Sequence, residues 1–331
     1  MRCLVTSARP YDEQFLRAAN QGRHDLVFVE TTLSAETAFV AQGFPAICPF
    51  FNDTLDAHTL ETLARLGTRL LVLRSTGFNH VDVPAAEKHG IAVMRVRDYS
   101  PYSVAEFTIG MMLTLNRHLH KAYNRVRDGN FLLDGLLGFD MHGKTVGIIG
   151  TGSIGTALAR ILKGMGCHLL GYDIAPNPVC LELGVVYVPL EALLRKSQIT
   201  SLHIPLVPET RHLIDAERIA LMPEGAMLIN TSRGPLIDTK ALIAALKSRH
   251  LGAVGLDVYE EEAELYFRDH CDDIICDDTF ERLLTFPNVI VTGHQAFFTR
   301  EALSTIAETT IQNLDTYSQG KDSPNYVRAA R

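Results

Sequence analysis

The chain has 331 residues, 47% of them hydrophobic. Chains near this length bury about three quarters of their unfolded surface, so two domains with large cores are expected. The 31 basic and 38 acidic residues give a net charge of −7, and no basic stripe could follow the phosphates of a duplex, which argues against a nucleic-acid partner. The first residues turn polar too early for a signal peptide, and no apolar run is long enough to span a bilayer. We therefore expect a soluble cytoplasmic protein without a membrane partner.

Six cysteines are scattered along the chain without C-x-x-C spacing, as expected of reduced cytosolic thiols. Cys271 and Cys276 flank a run of acidic residues. Such a run can hold a metal ion, but an exposed acidic loop explains it equally well, and no metal site is predicted.

The first hundred residues alternate short apolar strands with amphipathic helices. Strands are predicted near residues 3–5, 26–29, 46–48, 70–73 and 91–94, and helices from Asp12, Ser34 and Asp56 and after Asp82. This alternation predicts a parallel sheet with helices on both faces. The turn at residues 74–79 follows a strand, where ligands bind in open α/β sheets, but it also fits an ordinary glycine turn before a capped helix.

The chain changes character at Ser100, which can cap a helix, and Pro101, which suits a first helical position. An apolar-periodic run follows to about Arg127, and we place a domain crossing at its start. His118 and His120 in this run are two residues apart, so they point in different directions and are predicted to be surface or interface histidines. A second α/β unit is predicted from about residue 145, with a closing helix from about 301 to 317.

A glycine motif organises this second unit. An apolar strand, residues 146–149, runs into Gly150, Gly152 and Gly155 in G-x-G-x-x-G spacing, and a helix-like run follows. In a dinucleotide site the three glycines permit a tight turn, close approach of a pyrophosphate, and packing of the helix on the strand. Glycine turns also occur for packing alone, but the next strand ends at Asp173, where an acid can accept hydrogen bonds from the adenine ribose. The context favours a dinucleotide site.

Three further segments follow strands and carry groups suited to ketone reduction, which needs a proton donor and a cation besides the hydride. Arg233 has a planar fork that matches a carboxylate, His294 can donate a proton, and an acid beside a histidine favours the imidazolium. Each residue alone has a simpler explanation. Arg233 could be a surface cation, His294 a hydrogen-bonded core histidine, and the acid part of a solvated run at residues 260–264. Their common place after strands of one sheet favours a catalytic site.

These motifs together resemble those of the D-isomer-specific 2-hydroxyacid dehydrogenases, and within that family the bacterial fermentative D-lactate branch. The likeness covers essentially the whole chain, through residues 74–79, 110–117, 150–155, 230–234, 256–260 and 292–297 in the family's order. It implies an α/β fold with two doubly wound parallel-sheet domains. A Rossmann dinucleotide-binding domain, residues 100–298, would be inserted in a flavodoxin-like substrate domain, residues 1–99 and 299–331.

The resemblance also implies residue roles. Arg233 would bind the substrate carboxylate and polarise the carbonyl, His294 would donate the proton, and Glu262 would pair with His294. Glu262 is chosen among three adjacent glutamates because the family spaces its aspartate and glutamate five apart, as Asp257 and Glu262 are. The substrate contacts would be completed by the backbone amides of Thr76 and Gly77 and by Tyr99 near the substrate methyl. NAD contacts would involve Gly150, Gly152, Ser153, Ile154, Gly155, Asp173, Ile204, Pro205, Thr210, Thr231, Ser232, Arg233 and Asp257.

The implied activity is reversible reduction of pyruvate to D-lactate by NADH. Asp173 should exclude NADP, because a carboxylate facing a 2'-phosphate costs on the order of a few kcal/mol and residues 174–176 offer no arginine. Many relatives have proline directly after the glutamate, whereas this chain has Ala263. The family implies homodimers or homotetramers, and the apolar face of the helix from Ser103 suggests an intersubunit surface.

Two other functions are compatible with these motifs: an NAD-sensing corepressor on the same fold, and a 2-hydroxyacid dehydrogenase of the same family that prefers another 2-oxo acid, such as phenylpyruvate or glyoxylate. A formate dehydrogenase is disfavoured because that relative replaces the acidic partner of the histidine with glutamine.

Overall fold

The computed structural model describes residues 1–262, 265–267 and 269–329. The chain forms two compact units, Met1–Ser100 with Phe298–Arg331, and Pro101–Phe297. Ala263 and Glu264, which belong to the departure and the acidic run noted in the sequence, lie outside the described residues.

The helices and strands alternate along most of the chain. In chain order they are β1 (Arg2–Val5), α1 (Pro10–Asn20), β2 (Asp25–Phe28), β3 (Ala46–Cys48), α2 (Ala57–Arg65), β4 (Leu70–Val72), α3 (Val83–Lys88), β5 (Ala92–Met94), α4 (Pro101–Asn116), α5 (Leu119–Arg127), β6 (Thr145–Ile149), α6 (Ser153–Gly164), β7 (His168–Tyr172), α7 (Pro178–Glu182), β8 (Val186–Tyr187), α8 (Leu190–Lys196), β9 (Ile199–Leu202), α9 (Ala216–Leu221), β10 (Ala226–Asn230), α10 (Thr239–Lys247), β11 (Leu251–Leu256), α11 (Asp278–Leu284), β12 (Val289–Val291), α12 (Arg300–Ser318) and β13 (Tyr326–Val327).

The first unit is a six-stranded sheet in the order β13-β5-β4-β3-β1-β2, parallel except for β13, which runs antiparallel to β5. Successive residues of a strand point to opposite faces. Leu4 and Leu71 therefore pack in one core with residues of α2 and α3, and Val5 and Val72 pack in the other with residues of α1 and α12. The sheet is covered on both faces, as the alternation of strands and helices predicts.

The helix predicted from Ser34 is wrong: the structure has only a short 3-10 turn, Ala38–Ala41. The Thr37 hydroxyl oxygen accepts a hydrogen bond from the Ser34 amide at 2.8 Å and donates one to the Thr32 carbonyl at 2.7 Å. These local bonds compete with the backbone pairing that an α-helix needs. By contrast, Asp56 caps α2 as predicted, since its side chain accepts from Thr59 N–H at 2.8 Å.

The second unit is a seven-stranded, fully parallel sheet in the order β12-β11-β10-β9-β6-β7-β8. The chain order reverses on either side of β6, and this switch point is where ligands bind in open α/β sheets. Ile148 packs in a core shared with α4 and α6, whereas Ile149 packs in a core shared with α8, α9 and α10.

The long apolar-periodic run after Pro101 forms two helices, α4 and α5, rather than one. His118 lies between them with φ +51, outside the helical region. The side-chain amide of Asn116 binds both backbone groups of Phe139, at 2.7 and 2.8 Å, so the end of α4 pairs with a distant segment. His120 lies in α5, and both histidines are half-buried.

Across the described residues, the structure contains no helix whose length and apolarity would carry it through a bilayer. The same residues contain no cluster of three or more His, Cys, Asp or Glu arranged to hold a metal ion. Cys271 and Cys276 are exposed free thiols.

Candidate active site

The glycine motif forms a tight turn between β6 and α6. Gly150 has φ +94, and a Cβ there would strike the carbonyl oxygen of His203, whereas a Cβ on Gly155 would strike that of Gly150. These two glycines are therefore required by backbone geometry. Gly152 directly precedes α6, and a Cβ there would meet open space. The N-terminus of α6 thus faces an open surface, which fits a pyrophosphate against the helix amides.

Asp173 directly follows β7 and is half-buried. Its Oδ2 atom accepts hydrogen bonds from the Thr151 amide at 2.6 Å and the Thr151 hydroxyl at 3.0 Å, and its Oδ1 atom accepts from the Ile174 amide at 2.7 Å. The carboxylate is therefore fixed beside the glycine turn, where the sequence predicts the adenine ribose.

The loop after β10 is held in place by hydroxyl groups of residues predicted to contact the dinucleotide. The Ser232 hydroxyl donates to the Ile204 carbonyl at 2.6 Å, and the Thr231 hydroxyl lies 3.0 Å from that of Thr108 on α4. β9 and β10 are neighbours in the sheet, so the Ser232 bond joins the loops that follow them, and the Thr231 bond joins the loop after β10 to α4.

Thr210 closes the loop that follows β9. Its hydroxyl donates to the Pro205 carbonyl at 2.7 Å and accepts from the Val207 amide at 2.9 Å. Thr210 and Pro205, both predicted to contact NAD, therefore belong to one short bonded turn.

Arg233 lies on the loop after β10 and is half-buried. The Asn230 side chain donates to its carbonyl at 2.8 Å, and its own Nη1 donates to the Ser232 carbonyl at 2.6 Å. A Cβ on Gly234 would strike the backbone of Tyr259, so this loop lies directly against the segment that follows β11. The loop that carries the Arg233 guanidinium is therefore held by hydrogen bonds and by close backbone packing.

Asp257 is completely buried after β11. Its carboxylate accepts from the Thr292 hydroxyl at 2.6 Å and from the amides of Gln295 and Ala296 at 2.9 and 2.8 Å, and its carbonyl accepts from the His294 amide at 2.7 Å. Burial raises the pKa of the Asp257 carboxyl, and these hydrogen bonds oppose the shift. Sequence reasoning identified Asp257 only as an NAD contact; here it also holds the loop that carries His294.

His294 and Glu262 form the central pair of the site. The His294 Nδ1 atom lies 2.9 Å from Glu262 Oε1, and the two side chains are 18% and 13% exposed. The other Glu262 oxygen, Oε2, accepts from the Tyr259 amide at 2.9 Å. His294 has φ +53, a left-handed conformation that is strained for this residue type and occurs often at functional sites. A carboxylate at Nδ1 orients the ring, as a proton donor requires.

The three adjacent glutamates differ in their contacts. Glu260 binds Nε2 of His212 at 2.6 Å and the Thr239 hydroxyl at 3.0 Å, Glu261 is exposed, and Glu262 contacts His294. The described part of the acidic run is therefore not uniformly solvated. The His212–Glu260 pair was not anticipated, and no sequence signal distinguishes it from the run around it.

The predicted substrate residues of the first unit lie near the turn after β4 and at the end of that unit. The Ser75 hydroxyl donates to the Gly77 carbonyl at 2.8 Å, and Arg95 donates to the Thr76 carbonyl at 3.0 Å. The Thr76 hydroxyl oxygen is buried and has no hydrogen-bond partner among the described residues, which suits a polar ligand. Tyr99 is half-buried just before Pro101.

A buried ion pair lies beneath this turn and was not predicted. Arg74 is 4% exposed, lies 3.2 Å from the Asp12 carboxylate and donates to the Cys48 carbonyl at 2.8 Å. Arg74 lies two residues after β4, in the turn that the sequence singles out, but no sequence signal indicates its ion pair.

The chain is similar to known proteins over its whole length. Residues 109–296 match the model of the D-isomer specific 2-hydroxyacid dehydrogenase, NAD binding domain. The D-lactate dehydrogenase of Escherichia coli (strain K12) is 48% identical over 326 residues, which cover 98% of this chain and 99% of the relative. The D-lactate dehydrogenase kk1H of Curvularia clavata is 49% identical over 336 residues, covering 100% of this chain and 96% of the relative.

Solved structures agree with this assignment. The apo D-lactate dehydrogenase of Escherichia coli has a TM-score of 0.90 at 46% identity, covering 99% of this chain and 100% of that one. The Aquifex aeolicus D-lactate dehydrogenase complexed with NAD and lactic acid has a TM-score of 0.89 at 34% identity, with coverage of 99% and 100%. The predicted fold class, two doubly wound parallel-sheet domains, is confirmed. The chain belongs to the D-isomer-specific 2-hydroxyacid dehydrogenases and is an NAD-dependent oxidoreductase of that family.

Proposed function

We propose that this enzyme catalyses the reversible reduction of pyruvate to D-lactate by NADH. The observation that carries the proposal is the 2.9 Å contact between His294 and Glu262, because it supplies an oriented proton donor. Arg233 follows β10, Glu262 follows β11 and His294 follows β12, three consecutive strands of one parallel sheet. Relatives about 48% identical over their full length are named D-lactate dehydrogenases, which supports pyruvate as the 2-oxo acid.

Each catalytic residue has one role in the proposed reaction. Bound NADH supplies the hydride that reaches C2 of the 2-oxo acid. Arg233 binds the substrate carboxylate through its planar fork and polarises the carbonyl. His294, paired with Glu262, gives its proton to the carbonyl oxygen, which becomes the hydroxyl group of the 2-hydroxy acid. His294 then regains a proton from solvent, and in the reverse direction it accepts the proton of the hydroxyl.

Substrate binding is proposed to involve the first unit as well. The backbone amides of Thr76 and Gly77 would hold the other side of the carboxylate, and Tyr99 would lie by the substrate methyl. The buried, unpaired hydroxyl oxygen of Thr76 supports a polar ligand at this turn.

The cofactor residues are proposed on the same basis. Asp173 would accept a hydrogen bond from the adenine ribose, and the turn that contains Gly152 would receive the pyrophosphate. The remaining contacts are proposed for Gly150, Ser153, Ile154, Gly155, Ile204, Pro205, Thr210, Thr231, Ser232, Arg233 and Asp257.

We infer that the enzyme is a homodimer or homotetramer. Exposed apolar side chains concentrate on α5 and the segment after it, where Leu133 is 81% and Leu137 is 91% exposed. The exposed apolar residues of this segment are Leu119, Tyr123, Val126, Phe131, Leu132, Leu133, Leu137 and Phe139. Most apolar residues of α4, by contrast, are buried, so α5 rather than α4 supplies the surface. Light scattering on the intact protein would contradict this inference if it gave the monomer mass.

A cytoplasmic location and a fermentative role are proposed with the activity. All six cysteines, each among the described residues, are free thiols, as is usual in a reducing compartment.

The proposal is tested by following NADH absorbance with pyruvate, phenylpyruvate and glyoxylate, and by determining the chirality of the product. We expect the highest kcat/KM with pyruvate and D-lactate as the product. Preference for another 2-oxo acid would indicate a different D-2-hydroxyacid dehydrogenase. Binding of NADH without turnover of any small 2-oxo acid would contradict catalysis and indicate an NAD-sensing protein.

A further inference from the structure

A chain of hydrogen bonds runs from β8 to the carboxylate of Asp173. The Tyr187 hydroxyl, on β8, donates to the Thr151 hydroxyl oxygen at 2.8 Å, and that hydroxyl donates to Asp173 Oδ2 at 3.0 Å. The Tyr187 oxygen accepts from the Asn177 amide at 2.9 Å. Thr151 is 1% exposed, so its side chain is sheltered from water that could replace Tyr187.

The direction of each hydrogen bond in this series, from donor to acceptor, is determined by the groups that form it. An ionised carboxylate only accepts, and a backbone amide only donates. The Thr151 hydroxyl therefore gives its proton to Asp173 and must accept from Tyr187. Burial raises the pKa of the Tyr187 phenol, so the donor proton stays in place at neutral pH.

Asp173 has little acceptor capacity left. A carboxylate offers about four acceptor positions. The Thr151 amide, the Thr151 hydroxyl and the Ile174 amide already use three of them. One position on Oδ1 remains for a ribose hydroxyl, and the carboxylate cannot turn away from a ligand without breaking bonds to Thr151.

We propose that Tyr187 is a positioning residue for cofactor selectivity, which it enforces by holding Asp173 through Thr151. A 2'-phosphate must then either face a fixed negative charge or displace an anchored carboxylate, and both oppose NADPH binding. The inference rests on the proposed role of Asp173 and adds Tyr187, which lies two hydrogen bonds away from that carboxylate.

The test compares NADH and NADPH binding to the Tyr187→Phe variant by fluorescence titration, without any 2-oxo acid present. We expect the ratio of the two dissociation constants, NADPH over NADH, to fall by about 3- to 10-fold, the usual effect of losing one hydrogen bond. Tyr172→Phe is the matched control, because Tyr172 immediately precedes Asp173 but takes no part in this chain of bonds. Its ratio should equal that of the wild type.

Thr151 provides a second, independent variant. Thr151→Val removes the hydroxyl in the middle of the chain and should lower the ratio as Tyr187→Phe does, whereas Thr151→Ser keeps the hydroxyl and should preserve it. The Tyr187→Phe and Thr151→Val changes together should lower the ratio no further than the larger single change, because both interrupt the same path.

Two results would overturn the inference. One is an unchanged ratio in Tyr187→Phe and Thr151→Val, or equal weakening of both cofactors, as a general loss of structure would produce. The other is equal affinity of the wild-type protein for NADH and NADPH, which would refute the role of Asp173 too. Neither result depends on pyruvate turnover, so failure here is distinct from failure of the proposed reaction.

Discussion

Nδ1 of His294 lies 2.9 Å from Oε1 of Glu262, although the two residues are 32 positions apart in the chain. Glu262 is itself held by the Tyr259 amide, and the His294 backbone is held by the Asp257 carbonyl. The ring and its carboxylate are therefore positioned from β11 and from the loop after β12 before any substrate arrives. Such preorganisation is what a proton donor in a reductase requires.

Replacing Glu262 with glutamine should lower kcat for pyruvate reduction by on the order of 10²-fold. The His294 ring would lose the carboxylate that orients it as the proton donor. Steady-state rates with pyruvate and NADH would measure this effect. Glu261→Gln, at the exposed neighbour, is the control and should leave kcat unchanged. An unchanged kcat in Glu262→Gln would contradict the pairing.

Replacing Arg233 with lysine should reduce kcat/KM for pyruvate by about 10- to 100-fold, because one ammonium cannot reproduce two parallel hydrogen bonds to a carboxylate. The dissociation constant of NADH should rise by a smaller factor, because Arg233 is one of many proposed NAD contacts. Arg211→Gln is a suitable control, since the Arg211 side chain is 55% exposed and its guanidinium lies 3.4 Å from the Glu260 carboxylate. If the Arg211 variant lost as much kcat/KM as Arg233→Lys, the proposed role of Arg233 would fail.

Exchanging Asp173 for serine should relax cofactor selectivity. Removing the negative charge beside the 2' position should lower the preference for NADH over NADPH by about 10- to 100-fold. Initial rates at subsaturating NADH and NADPH give the ratio directly. Asp272→Ser removes the same charge from an exposed position of the same unit and serves as the control. Unchanged selectivity in Asp173→Ser would refute the assignment.

The stability of the protein should depend on His203, whose Nε2 lies 2.8 Å from the Ser201 hydroxyl. Burial lowers the pKa of His203 from 6.5 to about 4, so the folded state favours the neutral ring. Its contribution to the free energy of unfolding is therefore complete above about pH 6.5 and is lost as the pH falls toward about 4. The residue keeps partial solvent access, which reduces the expected loss to about 1–2 kcal/mol.

Urea unfolding at pH 7.5 and pH 5 would measure this effect. His203→Gln should lose less stability than the wild type between the two values, because glutamine does not titrate. His168→Gln, at an exposed position on β7, should follow the wild type. Equal losses in His203→Gln and the wild type would show that His203 is not the group responsible.

Much of the fold could be predicted because the determinants are local. Strand positions follow from short apolar runs, and the turn at Gly150 follows from glycines in a fixed spacing. The failures come from side-chain hydrogen bonds to the backbone. The Ser34 helix is replaced by local bonds of Thr37, and the run after Pro101 breaks where Asn116 pairs with the distant Phe139. Periodicity records which residues are apolar, but not which polar side chain competes for the backbone.

By itself, the sequence determined the two α/β units, the dinucleotide turn, and the placement of Arg233 and His294 after strands, because each depends on residues near one another in the chain. The family resemblance implied that Glu262 pairs with His294. Only the tertiary structure decided the other contacts: Glu260 against His212, Asp257 beneath the His294 loop, and Tyr187 behind Asp173. Side chains on adjacent residues of an irregular loop point in different directions. Their partners are therefore set by how neighbouring strands bring distant segments together, which no spacing along the chain records.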